Sequence, residues 1–105
     1  MTITNSAQIA SALGLNESTL FQVALISLLH EKKRQILQLR LETLARYSTS
    51  TLDELEAKIA QGSVAEHPAW EDLITVENLT ARLEELDVYL RDLRSSADPS
   101  TLGRK

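Results

Sequence analysis

The chain has 105 residues, 25% of them charged and 43% hydrophobic, with a formal net charge of −4 at pH 7. That length supports one hydrophobic core rather than two. The absence of cysteine excludes disulfides, thiolate metal sites and thiol nucleophiles, and the mildly acidic balance counts against a binder that works by neutralising phosphates.

The aromatic residues are Trp70, Tyr47, Tyr89 and Phe21, so the apolar content is chiefly Leu, Ala and Ile. That composition suits helix–helix packing better than a sheet. Three glycines and two prolines are too few for the turns of an all-β fold. The expected class is all-α. Residues 1–15 are small and polar, with Ile9, Ala10, Ala12 and Leu13 before a stop at Gly14, and read as a flexible arm or a short helix. No basic segment precedes an apolar one there, so it does not read as a secretory signal.

The first long helix opens at Asn16-Glu17-Ser18-Thr19, where Asn16, Ser18 and Thr19 can each cap and Thr19 with Gln22 has capping-box spacing. No Gly or Pro interrupts the chain from Leu20 to Tyr47. Apolar residues recur at Leu25, Ile26, Leu29, Ile36, Leu37, Leu41 and Leu44, the spacing of an amphipathic helix about 28 residues long. The run from Leu20 to Leu29 is apolar nearly all round but is broken by Gln22 and Ser27, well short of the ~20 residues a membrane span needs.

Ser48-Thr49-Ser50-Thr51 interrupts the pattern, because such side chains compete with helical backbone bonds. Thr51 and Glu54 repeat the capping-box spacing, Leu52, Leu55 and Ile59 share a face, and Gly62 fits the position after a helix end. Residues 51–61 thus read as a short helical connector. The last helix is expected to start near Pro68, with Glu71 and Asp72 favouring its first turn. Val76, Leu79, Leu83, Leu86, Leu90 and Leu93 then follow at spacings of three and four, a coiled-coil seam flanked by Glu84, Glu85, Asp87 and Arg91. Residues 95–105 read as a disordered tail.

The expected architecture is an antiparallel helical hairpin, two long helices with a short helical connector over residues 16–94. One hairpin cannot place Leu20, Phe21, Val23, Ala24, Leu25 and Ile26 in a single buried stripe. Either the short helix and the N-terminal arm cover the remainder or a second chain does; since monomers seldom expose large apolar patches, a homodimer with a four-helix arrangement is the economical solution. Leu20, Phe21, Val23, Ala24, Leu25, Leu28 and Leu29, with Trp70 as an aromatic anchor, form the candidate protein interface. The competing reading of Trp70 is core packing against the first helix.

Other chemistry is sparse. His67 and Glu71, with Glu66 and Asp72, could approach a metal, but zinc sites need three or four fixed ligands and a lone His is poor material for one; the carboxylates are explained by the helix dipole. His30-Glu31 lacks the second His of a zinc-protease motif, since position 34 is Arg34. Lys32, Lys33, Arg34, Arg40 and Arg46 outnumber Glu31 and Glu42 by three and are the candidate nucleic-acid residues. The simpler reading pairs them with the acidic stretch 53–72, which holds six carboxylates against Lys58. No nucleophile elbow, phosphate loop or dinucleotide fingerprint occurs. An enzyme is not expected, and neither is a cofactor, a bound metal or a membrane partner.

The segment from Tyr47 to Gly62, continuing through Glu66-His67-Pro68-Ala69-Trp70-Glu71-Asp72, resembles a group of small prokaryotic helical proteins. These have a long helix ending at Tyr, a short acidic helix closed by Gly, and an acidic-aromatic entry to a Leu/Glu-rich helix. They are mostly uncharacterised, and some are regarded as antitoxin-like partners of small toxin proteins. Members often carry Gly after the Tyr, where this chain has Ser48. The likeness covers about residues 30–94 and implies no catalytic residues. The resulting expectation is a cytoplasmic, non-enzymatic protein-interaction module that pairs with itself and with another small protein, in antitoxin-like form. The alternative is a nucleic-acid-associated factor using the basic residues of the first long helix.

Overall fold

A computed structural model describes residues 4–97. Four helices occur among them: α1 (Ser6–Ala12), α2 (Glu17–Ala45), α3 (Leu52–Ala60) and α4 (Glu66–Ala97). There is no strand among the described residues, and the class is all-α. Contacts divide the chain into two compact units. Unit 1 comprises Met1–Glu31 with Val88–Lys105, and unit 2 comprises Lys32–Asp87. Each takes a stretch of α2 and a stretch of α4. The expected tail from residue 95 is helical as far as Ala97, and its remainder, 98–105, lies outside the described residues.

Local chemistry sets most helix ends. Asn5 caps α1 through a complete capping box, its side chain accepting from the Gln8 N–H while the Gln8 side chain accepts from the Asn5 N–H. At the far end Gly14 takes φ 76°, with Leu15 N–H donating to Ala10 O and Gly14 N–H to Ser11 O. That pair of bonds is a Schellman termination. The cap of α2 is Asn16, whose side chain accepts from the Thr19 N–H at 2.7 Å. The helix therefore begins three residues ahead of the Thr19–Gln22 spacing.

A second Schellman termination ends α2, with Ser48 N–H donating to Ala45 O and Thr49 N–H to Leu44 O. Ser48 sits at φ 57°, the left-handed position that favours glycine. The buried Thr49 adds its hydroxyl to the Leu44 carbonyl at 2.7 Å. The strain at Ser48 gives a simple expectation. Ser48→Gly should raise stability by about 0.5–1 kcal/mol, because relief of the side-chain clash outweighs the extra freedom glycine has when unfolded. A higher urea midpoint at unchanged slope would show it, and an unchanged or lower midpoint would count against it.

Thr51 caps α3 by accepting from the Glu54 N–H at 3.1 Å, as the spacing predicts. The return half of the box is displaced by one residue, since the Glu54 carboxylate accepts from the Ser50 N–H at 2.8 Å. That bond leads the influences that hold the Glu54 carboxyl below the usual glutamate range. Gly62, at φ 75°, closes α3 with Gly62 N–H donating to Ile59 O and Ser63 N–H to Lys58 O. In α4, His67 is extended (φ −112°, ψ 121°) and the regular helix runs on from Pro68. The missing N–H of proline costs nothing at a first helical position.

Unit 2 holds the core. Leu44 from α2, Leu55 and Ile59 from α3, and Ala69, Leu73 and Val76 from α4 form one buried cluster, with Tyr47, Leu52 and Val64 packed against it. Leu83 and Leu86 continue the buried side of α4. Three contacts define the pairing: Arg46 with Asp72, Arg40 with Thr80, and Lys33 with Asp87. One number falls as the other rises, so α2 and α4 run antiparallel there.

The inward face of α2 in unit 2 differs from the expected one. Leu37 and Leu41 point outward, Leu41 at 55% exposure, while Ile36 and the stem of Arg40 are half-buried and Thr43 and Leu44 are buried. Of the residues that the spacing rule selects here, Ile36 and Leu44 face inward and Leu37 and Leu41 do not, because apolar residues occupy more than one face. Nothing polar is stranded by the result: among the described residues no buried side-chain nitrogen or oxygen lacks a partner. Also among the described residues, no single helix is long and apolar enough to cross a membrane, and the pair α1–α2, which reaches that composition together, is bent by 87°.

Candidate protein-interaction surface

Unit 1 is built mostly of helix surface. Among its described residues the buried apolar side chains are Ala10 and Leu90. Ile9 on α1 and Leu13 at its C-terminal cap, Phe21, Val23 and Leu28 on α2, and Val88 and Tyr89 on α4 are exposed, with Phe21 at 66% and Leu28 at 52%. Large contiguous apolar patches are characteristic of interaction sites.

The residues proposed from sequence divide between two concavities in this unit. Leu25 and Leu29 line a groove of about 360 Å³ with Tyr89, Asp92 and Leu93. Leu20, Phe21 and Ala24 line another of about 310 Å³ with Ser6 and Glu17. The Ser6 hydroxyl donates to the Glu17 carboxylate and ties the start of α1 to the start of α2. Leu28 lies on the Phe21 side of the helix, whereas Val23 faces elsewhere. Arg94 donates to His30 Nε2 at 2.8 Å, a polar contact between α4 and α2 within the unit.

Sequence reasoning missed Ile9, Leu13, Val88 and Tyr89. The signal was available for the last two: stepping along Leu86, Leu90 and Leu93 leaves positions 88 and 89 off the seam. Trp70 belongs to unit 2 and is 48% exposed, so the core reading of this side chain is corrected. The position that enters the core is Ala69, completely buried one residue earlier.

The five basic candidates do not form one face. Lys33 pairs with Asp87 at 2.7 Å, Arg40 donates to the Thr80 hydroxyl at 3.0 Å, and Arg46 pairs with Asp72 at 3.3 Å. At 100° per residue Lys32 lies about 40° from Arg46 around α2, and Arg34 about 160° from Lys32. Around Asp72 a small network closes the end of the hairpin. The Tyr47 hydroxyl donates to the same carboxylate oxygen that Arg46 approaches, and Lys58 from α3 donates to the Tyr47 carbonyl at 2.8 Å. The hydrogen bond to Asp72, reinforced by burial and by the charge of that carboxylate, pushes the Tyr47 hydroxyl above its usual range.

His67 and Glu71 approach to 3.6 Å and both are well exposed. Among the described residues no three His, Cys, Asp or Glu side chains converge as a metal site would require. No curated protein and no solved structure matches this chain. The model of the Uncharacterized protein MJ0235 family matches residues 1–97, and the chain belongs to that family.

Proposed function

We propose that this protein is a non-enzymatic, cytoplasmic protein-interaction module that uses the apolar surface of unit 1, in the manner of the antitoxin-like half of a two-component module. The observation that carries the reading is the imbalance in that unit: Phe21, Val23, Leu28, Val88 and Tyr89 are exposed while Ala10 and Leu90 are buried. Complete burial of such a side chain from full exposure stabilises by roughly 1.5–3 kcal/mol; these are about half exposed, so each offers a partner roughly half of that, set against the cost of association. Use of Lys32, Lys33, Arg34, Arg40 and Arg46 to hold nucleic acid draws no comparable support, since three of the five are engaged by groups on α4.

The test is photocrosslinking in cells. A benzophenone amino acid in place of Phe21 should give protein adducts that Leu28→Ser abolishes, while the same probe in place of the exposed Glu56 on α3 should give none. Adducts at position 21 no stronger than at position 56 would sink the proposal.

A further inference from the structure

We infer that the partner seated on this surface is a second copy of the chain, paired antiparallel through α2 about a twofold axis close to Ala24. The inference rests on the interaction reading above and adds the identity and register of the partner.

Three features support it. The first is the absence of charge: residues 18–29, Ser-Thr-Leu-Phe-Gln-Val-Ala-Leu-Ile-Ser-Leu-Leu, carry no ionisable side chain. Near a twofold axis each group meets its own copy, so a charge there would face its like; an uncharged stretch is what self-pairing tolerates. The second is shape. At 100° per residue Glu17, Phe21, Ala24, Leu28 and Lys32 fall within about 80° of one another around the helix. The small side chain of Ala24 stands between two large exposed ones and lets two helix axes approach. Antiparallel pairing centred between residues 24 and 25 sets Phe21 opposite Leu28 of the second copy, and Leu28 opposite its Phe21. The groove of about 310 Å³ beside Phe21 is lined by Ser6, Glu17, Leu20, Phe21 and Ala24 and can receive that leucine.

The third feature is charge complementarity. The charged lining group of that groove is Glu17. The same register sets Glu17 opposite Lys32 of the second copy, and Lys32 opposite its Glu17. Two equivalent ion pairs therefore flank an apolar centre, and they fix both direction and register. A parallel pairing would set Glu17 against Glu17 and Lys32 against Lys32.

The experiment is sedimentation equilibrium of the full chain at micromolar concentration, with charge reversals. The wild type should sediment at twice the monomer mass. Glu17→Lys and Lys32→Glu should each weaken self-association roughly tenfold, since two contacts turn from attractive to repulsive. The double variant E17K/K32E should recover it. Mixing the two single variants should produce a heterodimer, an outcome no loss of helix stability can imitate. Phe21→Ser, at an exposed position, should weaken association roughly 100-fold with unchanged helical circular dichroism.

A wild type that remains monomeric overturns the second-copy inference, even where crosslinking at position 21 captures some other protein and the broader reading stands. A dimer indifferent to both charge reversals and to Phe21→Ser overturns the register and the face. Single variants that fail to combine on mixing overturn the antiparallel arrangement.

Discussion

Leu55→Ala should cost about 2–5 kcal/mol of stability. Leu55 is completely buried and joins Ile59 from α3 to Leu44 of α2 and Ala69, Leu73 and Val76 of α4. Truncation removes the transfer energy of the lost methyl groups and leaves a hole that α3 can only partly fill. α3 has 9 residues, too short to persist alone in water, so its helicity depends on this contact. Domains of this size have only about 5–15 kcal/mol in all. A urea titration followed by circular dichroism should show a large fall in midpoint. A loss below about 1 kcal/mol would mean that α3 is not part of the cooperative core.

Tyr47→Phe should cost about 1–3 kcal/mol, the range for losing a hydrogen bond to a charged acceptor. The substitution keeps the ring against the core but leaves Asp72 with Arg46 as its remaining partner in the network. The pH dependence carries the signature. Because the folded state raises the Tyr47 hydroxyl above its ordinary value, it contributes stability that is fully present below the unfolded tyrosine range and is lost as pH rises through the folded value. The wild type should therefore lose stability in alkali more steeply than the Phe variant, and the two curves should converge there. Parallel curves through that window would show that the hydroxyl–carboxylate contact contributes nothing.

Much of the fold was legible because it depends on local chemistry. Thr51 capping α3, Gly62 ending it, and Pro68 opening the regular part of α4 each follow from what that residue does to the backbone next to it. The buried side of α4 was legible for a different reason: Val76, Leu83, Leu86 and Leu90 form a single stripe with polar neighbours. Extending that stripe backwards by three and four gives Leu73 and Ala69, which would have excluded Trp70 from the core. Size drew attention to the tryptophan, whereas register decided its place. In α2 the pattern was ambiguous because leucines lie on several faces. Only pairing with α4 selects the face of Ile36, Arg40, Thr43 and Leu44 and leaves Leu37 and Leu41 outside. The surplus of apolar surface near Phe21 could be read from sequence; which parts of it form grooves with Ser6, Glu17 or Tyr89 depends on non-local packing, and no spacing rule reports that.

Lys33 and Arg40 face α4 seven residues apart on α2, and their partners Asp87 and Thr80 are seven apart on α4. A purely leucine seam would be nearly degenerate under a slip of one heptad, since every leucine would find another leucine. Here a slip that brings Lys33 to Thr80 also drives Arg40 against Leu73, where a guanidinium would lose its hydrogen bond inside apolar packing and Asp87 would lose its cation. Burying such a charge unpaired is costly enough to reject the shifted alignment. The two long side chains thus act as a key: they add little to the depth of the correct minimum but remove its nearest competitor.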